Sequence, residues 1–179
     1  FHVISANKQA GASDTNKYRQ IRDAFSKTGS HWLYNATVGA GLPVNHTVRD
    51  LRESGDSILA ISGIFSGTLS WLFLQFDGTL PFTELVDLAW QQGLTEPDPR
   101  DDLSGQDVMR KLVILAREAG YDIEPTQVRV ESLVPESCAN GSVDQFFEDG
   151  EALNQQMLQR LEAAREMGLV LRYVARFDA

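Results

Sequence analysis

The sequence predicts an α+β (mixed α/β) fold, in which an open, largely antiparallel or mixed sheet has helices packed on it. Short β-rich runs alternate with helix-periodic segments along all 179 residues. No internal repeat replaces this alternation by a solenoid pattern. Hydrophobic residues make up 42% of the chain and charged residues 23%, which is ordinary for a soluble globular protein. Such mixed elements pack as layers around a hydrophobic core.

The first elements are defined by apolar periodicity and by capping residues. They are, in order, a strand at His2–Ser5, a helix from a Ser13 or Asp14 cap to Gly29, a strand at Trp32–Ala36, a Gly-rich turn at Val38–Pro43, and a helix through Val48 and Leu51 to Gly55.

The segment Ser57–Phe76 contains 20 residues without a charge, which is close to the length of a membrane span. Eight of the 20 are Ser, Thr, Gly or Gln, and the pattern changes at Ser66-Gly67-Thr68. A buried strand that leads through this turn into a buried helix explains the segment better.

The remaining elements follow the same rules of periodicity and punctuation. They are a helix at Phe82–Trp90 that ends before Gly93, an acidic loop at Thr95–Asp102, a long helix capped by Ser104, a strand at Val128–Leu133, a polar stretch at Asn140–Gly150, a helix through Leu153, Met157 and Leu161 to Gly168, and a last strand at Leu169–Phe177.

Charge and cysteine content restrict the function classes. The net charge is −9, which disfavours nonspecific binding to nucleic acid or to an anionic membrane. The single cysteine, Cys138, excludes an internal disulfide framework and a Cys-rich zinc module. The simplest compartment for a chain with this cysteine content is a reducing cytosol, so we expect a cytoplasmic protein. Both ends fall within strand-like runs, which suggests a piece of a longer polypeptide.

The densest group of ionisable residues extends from Glu96 to Lys111. Pro97 and Pro99 stiffen its acidic part. Asp107 and Lys111 are four residues apart and therefore share a helix face. Composition alone favours a solvated loop and a surface ion pair, which usually stabilises a helix and nothing more.

Two alternatives to the solvated loop stay open. Ile114 continues the Asp107–Lys111 stripe, so the lysine could be partly covered and act as a proton donor or acceptor. The carboxylates of Asp98, Asp101 and Asp102 could instead hold Mg²⁺, although their spacing matches no specific metal motif. The three histidines are scattered, without metal-ligand spacing.

The Gly39-Ala40-Gly41 turn does not match a dinucleotide fingerprint, because Val44 stands where the third glycine is required and Pro43 precedes it. A structural turn between a strand and a helix is the better interpretation. Its exposed backbone groups could still approach an ion or ligand.

Four motifs occur in order along the chain: Val3–Lys8, Thr37–Pro43, Gly63–Thr68 and Thr95–Lys111. Together they resemble homoserine dehydrogenase over nearly the whole sequence, and the last motif is long and specific. The chain is most similar to the dehydrogenase half of bacterial bifunctional aspartokinase–homoserine dehydrogenases, in their methionine-branch form.

The resemblance implies reduction of L-aspartate 4-semialdehyde to L-homoserine with NADP or NAD as the cofactor, in amino-acid biosynthesis. It also implies that residues 1–36 are the end of a nucleotide-binding Rossmann domain with its linker. Residues 37–179 would then form the substrate-binding and dimerisation domain. The family's Gly-rich phosphate loop is not among these residues, so we expect most of the cofactor site to lie outside them and the 179 residues alone to be inactive.

The resemblance also implies roles for individual residues. The catalytic residues would be Lys111 and Lys8, with Asp107 positioning Lys111. The substrate-binding residues would be Glu96, Asp102, Thr68 and Gly67, and the cofactor-binding residues would be Lys8, Asn7 and Gly39. A monovalent cation (Na⁺ or K⁺) would bind Asn35 and the carbonyls of Val38, Ala40 and Leu42. The family often has an acidic residue at the position of Asn35. Expected partners are a small amino-acid substrate and a second copy of the chain, as a homodimer or higher oligomer, without nucleic acid or membrane. The rival hypothesis is a noncatalytic oligomerisation module of a metabolic enzyme.

Overall fold

The computed structural model describes all 179 residues and confirms the α+β class. Its helices are α1 (Thr15–Thr28), α2 (Val44–Glu53), α3 (Gly67–Gln75), α4 (Phe82–Gln91), α5 (Pro99–Leu103), α6 (Gln106–Glu118), α7 (Val143–Glu148) and α8 (Glu151–Glu166). Its strands are β1 (Val3–Ile4), β2 (Trp32–Leu33), β3 (Ala60–Gly63) and β4 (Ala175–Asp178). Short 3₁₀ turns lie at Asn35–Thr37, Pro125–Gln127 and Glu136–Cys138.

The sheet is smaller than the sequence predicts. Instead of one open sheet, the strands form two separate pairs: β1 with β2 in parallel and β3 with β4 antiparallel. The strand predicted at Val128–Leu133 is wrong, because Leu133 N donates to Leu103 O, at the end of α5, and not to another strand. The last strand begins only at Ala175.

The strand β3 is also less buried than predicted. Its residues alternate between exposed and half-buried, and Leu59, which precedes it, is 73% exposed. The helix that follows, α3, is buried as predicted, with Leu69 and Leu72 fully covered. No helix of this structure combines the length and the apolar character that a membrane span requires.

Two helices begin at residues that the sequence predicts, whereas Ser104, the predicted cap of the long helix, instead ends α5, and α6 begins at Gln106. Asp14 accepts a hydrogen bond from Lys17 N at 2.9 Å and begins α1, and Gly29 ends it with a left-handed φ of 62°. Ser66 accepts from Leu69 N at 3.1 Å and begins α3, as the Ser-Gly-Thr turn predicts.

The chain divides into two compact units. The first contains residues 1–65, 108–129 and 175–179, and the second contains residues 66–107 and 130–174. This division describes how the 179 residues contact one another. The domain boundary predicted after residue 36 refers to the full-length polypeptide and stays a prediction.

Each unit has its own core. In the first unit, Tyr34 and Val38 pack with Ile114 and Leu115 of α6. In the second unit, α4 packs against α3 and α8, and the Phe82 ring meets that of Phe76 edge-on at 5.0 Å between centroids. Apolar burial of this kind supplies most of the stability of such helices.

Candidate active site

The parallel pairing of β1 and β2 brings two predicted cofactor segments to one edge of this strand pair. Parallel strands run in the same direction, so the residues after each strand leave at the same end. Asn7 and Lys8 follow β1, and Gly39 lies in the turn after β2. In open α/β sheets, ligands bind outside the carboxyl ends of the strands. The three predicted cofactor-binding residues thus all follow the carboxyl ends of this parallel strand pair.

The segment that carries Lys8 is held by local hydrogen bonds. Asn7 Oδ1 accepts from Gln9 N at 2.7 Å, and Lys8 O accepts from Ala12 N at 2.9 Å. The Lys8 side chain is half-buried and Asn7 is exposed. The two bonds fix the backbone on both sides of the lysine.

The Lys8 segment also packs on the helix that carries Lys111. Gly11 is buried, and a Cβ at this position would lie 3.0 Å from Ile114 Cγ1. Ile114 is one turn along α6 from Lys111. The structure therefore places the segments of both predicted catalytic lysines in the first unit and in contact through Gly11.

Lys111 is half-buried on α6, as the alternative of a partly covered lysine predicts. Its Nζ donates to Phe65 O at 2.6 Å, and Ile114 is 1% exposed, so the stripe that continues from Lys111 is covered. Asp107 lies one turn earlier, in the first turn of the same helix, where the helix dipole favours an anion. A half-buried ammonium group that shares a helix face with a carboxylate suits proton donation to a bound substrate.

The predicted acidic loop contains the short helix α5, which the sequence analysis missed. Pro99 occupies its first turn, where no backbone N–H is needed, and Asp98 Oδ1 accepts from Arg100 N at 2.9 Å. The Arg100 guanidinium also binds Asp98 Oδ2 at 2.6 Å. These bonds hold the pKa of the Asp98 carboxyl below its ordinary value.

Asp102, four residues further, has the opposite environment. Burial raises the pKa of its carboxyl, and the hydrogen bond from Glu96 N and the interaction with the Thr68 side chain partly oppose that shift. Asp102 Oδ2 accepts from Glu96 N at 2.7 Å. The Thr68 hydroxyl also reaches Leu94 O at 2.7 Å. The second unit thus brings together three of the predicted substrate-binding residues.

The fourth predicted substrate residue, Gly67, is the first residue of α3 and is exposed. No heavy atom lies within 4 Å of the place where a Cβ would stand. The amino end of α3 therefore faces open space next to Thr68. Backbone N–H groups at a helix amino end attract anionic groups such as carboxylates.

The alternative of a magnesium site at Asp98, Asp101 and Asp102 is wrong. No group of three His, Cys, Asp or Glu side chains in the structure is placed to hold a metal ion. The Asp98 carboxylate is bound by Arg100 instead, so a cation already neutralises it.

The Gly39 turn has the backbone conformation that a close approach requires. Gly39 and Ala40 have φ values of 77° and 50°, and the second is strained for a residue with a side chain. A Cβ at Gly39 would lie 2.7 Å from Val44 Cγ2, so only glycine fits. Leu42 O accepts from Val44 N at 2.8 Å, which closes the turn.

Asn35, the predicted side-chain ligand of a cation, is half-buried at the start of the 3₁₀ turn that follows β2. Its Nδ2 is 2.6 Å from His46 Nε2. The side-chain oxygen is therefore the atom with lone pairs to offer a cation.

Two buried charged residues at the carboxyl end of α6 are absent from the functional residues predicted from the sequence. Arg117 is 5% exposed and Glu118 is 2% exposed. Glu118 accepts from the hydroxyl of Tyr34 and from Arg49 Nε, the latter at 2.8 Å. Both residues follow Ile114 by three and four positions, so the periodicity that predicted the covered stripe could also have found them.

Comparison with known proteins supplies the family. The family model described as homoserine dehydrogenase matches residues 43–179. The chain is 85% identical over 179 residues to bifunctional aspartokinase/homoserine dehydrogenase 2 of Escherichia coli K12, covering 100% of this chain and 22% of that relative. The chain spans about a fifth of the length of the curated relatives it matches.

Solved structures agree on the fold. A Candida auris protein of unknown function has a TM-score of 0.90 and 35% identity, covering 99% of this chain and 51% of its own. A hyperthermophilic archaeal homoserine dehydrogenase, solved in complex with NADPH, has a TM-score of 0.58 at 22% identity and covers 66% of this chain and 36% of its own; at that identity it shows the fold alone.

The fold and the family model together define a domain of a dehydrogenase family. The chain belongs to the homoserine dehydrogenase family. Its similarity to the bifunctional aspartokinase form confirms the relationship predicted from the four motifs.

Proposed function

We propose that this chain is the part of a homoserine dehydrogenase that binds the substrate and supplies its two catalytic lysines. The whole enzyme would reduce L-aspartate 4-semialdehyde to L-homoserine within a bifunctional polypeptide that also carries an aspartokinase. The observation that carries the proposal is the packing of the Lys8 segment on α6, the helix of Lys111.

Asn7, Lys8 and Gly39 fit a pyridine dinucleotide, NADP or NAD. They follow the carboxyl ends of the parallel strands β1 and β2, and they offer an amide, an ammonium group and a backbone that only glycine permits. When bound, the dinucleotide supplies the hydride that reduces the aldehyde carbon.

Lys111 would act on the oxygen of the aldehyde. Reduction of the carbonyl develops negative charge on this oxygen, and a positioned ammonium group stabilises that charge and donates the proton. The 2.6 Å hydrogen bond from Lys111 Nζ to Phe65 O restricts the position of the ammonium group, which supports this role. Asp107, one turn earlier on the same helix, would orient the lysine.

Glu96, Asp102 and Thr68 would hold the amino-acid end of the substrate. A carboxylate facing the substrate ammonium group supplies charge-assisted hydrogen bonds and fixes orientation. Glu96 is exposed and Asp102 half-buried, so one carboxylate is accessible while the other is held by Glu96 N at 2.7 Å. The amino end of α3 at Gly67 would face the substrate carboxylate.

A monovalent cation, Na⁺ or K⁺, would bind the turn after β2. Asn35 offers a neutral side-chain oxygen, and the carbonyls of Val38, Ala40 and Leu42 would complete the ligand set. Oxygen donors suit such hard cations. The left-handed φ of 50° at Ala40 supports the assignment, because strained backbone often occurs at ligand sites.

We further propose a cytoplasmic homodimer or higher oligomer. The residues before β4 expose apolar side chains, with Leu169, Val170 and Val174 at 58%, 72% and 51% exposure. An interface of about 1,000 Å² or more would cover such a surface. Light scattering of the full-length protein at micromolar concentration should give at least a dimer, and a monomer would contradict this part of the proposal.

The test of the function uses the full-length polypeptide. We expect oxidation of NADPH that depends on aspartate 4-semialdehyde. Asp102→Asn should raise the KM for the semialdehyde by about tenfold and leave the KM for NADPH unchanged. Asp101→Asn, an exposed neighbour on α5, is the matched control and should change neither.

The rival, a noncatalytic oligomerisation module, predicts a different result. Turnover of the full-length protein would then be absent, or it would be insensitive to substitutions at Asp102 and at Lys111. Either finding would overturn the proposed function, whatever the oligomeric state.

A further inference from the structure

Arg117, near the carboxyl end of α6, is unusually buried for an arginine. It is 5% exposed, and its guanidinium donates to Gly11 O at 2.8 Å, to Ile123 O at 2.8 Å and to Thr15 Oγ1 at 3.3 Å. The ring of Tyr18 lies 4.6 Å from its Cζ. Every one of these partners is neutral.

Burial of a cation among neutral partners carries a free-energy cost. The burial of Arg117 lowers the pKa of its guanidinium, although Tyr18 and the carboxylates of Glu124, Asp122 and Asp14 oppose the shift. Its Nε is buried without a hydrogen-bond partner. A hydrophobic side chain of similar length could fill the same volume without that cost. What only the planar guanidinium supplies is direction, since it binds several carbonyl groups in fixed positions.

The most informative of these carbonyls belongs to Gly11. The next residue, Ala12, donates its N–H to Lys8 O at 2.9 Å. Two hydrogen bonds and one peptide unit therefore connect the Arg117 guanidinium to the backbone of Lys8. The connection is reinforced by the contact of Gly11 with Ile114, where a Cβ would come within 3.0 Å.

Arg117 also shares α6 with Lys111. Six residues separate them, which corresponds to about 9 Å along a helix axis. A rigid helix thus carries one lysine directly and holds the segment of the other lysine through Arg117. All these residues lie in the first unit.

We propose that Arg117 is a positioning residue that fixes the Lys8 segment relative to Lys111 on α6. The inference rests on the proposed function, in which both lysines act on the substrate. Loss of Arg117 should displace the Lys8 ammonium group, and a displacement of about 1 Å in a catalytic arrangement can cost on the order of 100-fold in rate.

A double-mutant cycle in the full-length enzyme tests this inference. The variants are Arg117→Met, Lys8→Ala and both together, assayed at a temperature where circular dichroism shows each to be folded. Arg117→Met should lower kcat by about 10- to 100-fold, and Arg117→Lys should restore part of that loss. In the Lys8→Ala background, Arg117→Met should change kcat by no more than about twofold, because its target is already gone.

The matched control is Arg49→Met, which also removes an arginine bound to the end of α6, through Glu118. It should lower the melting temperature and leave kcat unchanged. If Arg117→Met fails to fold, Arg117→Lys takes its place in the cycle.

The possible failures are distinguishable. Equal losses of kcat in both backgrounds, or wild-type kcat in Arg117→Met with only a lower melting temperature, would overturn the positioning role and leave the proposed function intact. Wild-type turnover in Lys8→Ala would overturn the role of Lys8 in the proposed function, and the positioning role with it.

Discussion

The two ends of helix α6 carry charged residues in opposite environments. Near its amino end, Asp107 and Lys111 are half-buried. At its carboxyl end, Arg117 and Glu118 are 5% and 2% exposed. A half-exposed charge can meet a ligand, whereas a buried charge can only serve groups of the protein itself. The amino end of α6 is therefore suited to contact with a ligand, and its carboxyl end to stabilising the fold.

Hydrogen-bond partners show the same contrast. Lys111 Nζ donates to a backbone carbonyl, that of Phe65. Glu118, by contrast, joins Tyr34 and Arg49, residues that lie after β2 and on α2. Substitutions at the two ends should therefore separate rate from stability.

The largest effect on stability is expected for Glu118→Ala. Removing one member of a buried hydrogen-bonded ion pair leaves the other uncompensated and typically costs about 3–5 kcal/mol. Since Arg49 retains 24% exposure of its side chain, we expect the lower figure, about 3 kcal/mol. Chemical denaturation of the full-length protein measures it, and Glu53→Ala, with 62% side-chain exposure on α2, is the control that should change little. Equal stabilities of the two variants would remove the contrast between the ends.

A smaller effect, on rate, is expected for Asp107→Ala. The lysine one turn later loses its orienting carboxylate, so kcat should fall by about tenfold. The melting temperature should hardly change, because an i,i+4 pair contributes only about 0.3–0.5 kcal/mol. Steady-state kinetics and thermal melts would measure kcat and the melting temperature separately. A large loss of stability at unchanged kcat would show that Asp107 serves to stabilise the fold.

The smallest expected effect concerns pH and Asp98. Its pKa is lowered by Arg100, so the ion pair stabilises the fold above the ordinary carboxyl pKa, about 3.9. That stability is lost as the pH falls through the lower pKa of the folded state. Asp98→Asn should therefore cost about 1 kcal/mol or less at pH 7, with the difference from wild type vanishing in acid. Urea titrations at several pH values measure it; a difference that grows in acid would contradict the assignment.

The carboxyl of Asp102 has a pKa shift of the opposite direction, so its effect on stability should depend on pH in the opposite sense. Burial raises the pKa of its carboxyl, so the folded state holds the proton more tightly than the unfolded chain does. Its ionised form lowers stability above the folded pKa, and the penalty disappears as the pH falls below the ordinary value. Asp102→Asn should therefore remove a penalty at neutral pH that is absent in acid.

The sequence predicts well those features that local chemistry determines. Asp14, Gly29 and Ser66 act at helix ends as predicted because caps depend on neighbouring backbone groups alone. The covered face at Ile114 was also predictable, since helical periodicity places it in line with Lys111.

Features that depend on distant partners were not predictable in this way. The run at Val128–Leu133 has the alternation of a strand, yet its partner is the end of α5. Arg100 looked like one of several loop charges, but it binds Asp98 and also donates to Gly141 O at 2.9 Å, a contact across 41 residues. No local pattern encodes such a pairing, because it exists only once the fold has formed.

The most direct test of the account is the turnover of Lys111→Ala in the full-length enzyme, measured with its melting temperature. Loss of one preorganised charged donor typically costs about 10²–10³ in kcat, or roughly 3–4 kcal/mol. We expect a loss of this size with a melting temperature close to wild type, and wild-type kcat in Arg110→Ala, the adjacent cation. Unchanged turnover in Lys111→Ala would contradict the assignment of the amino end of α6 to chemistry.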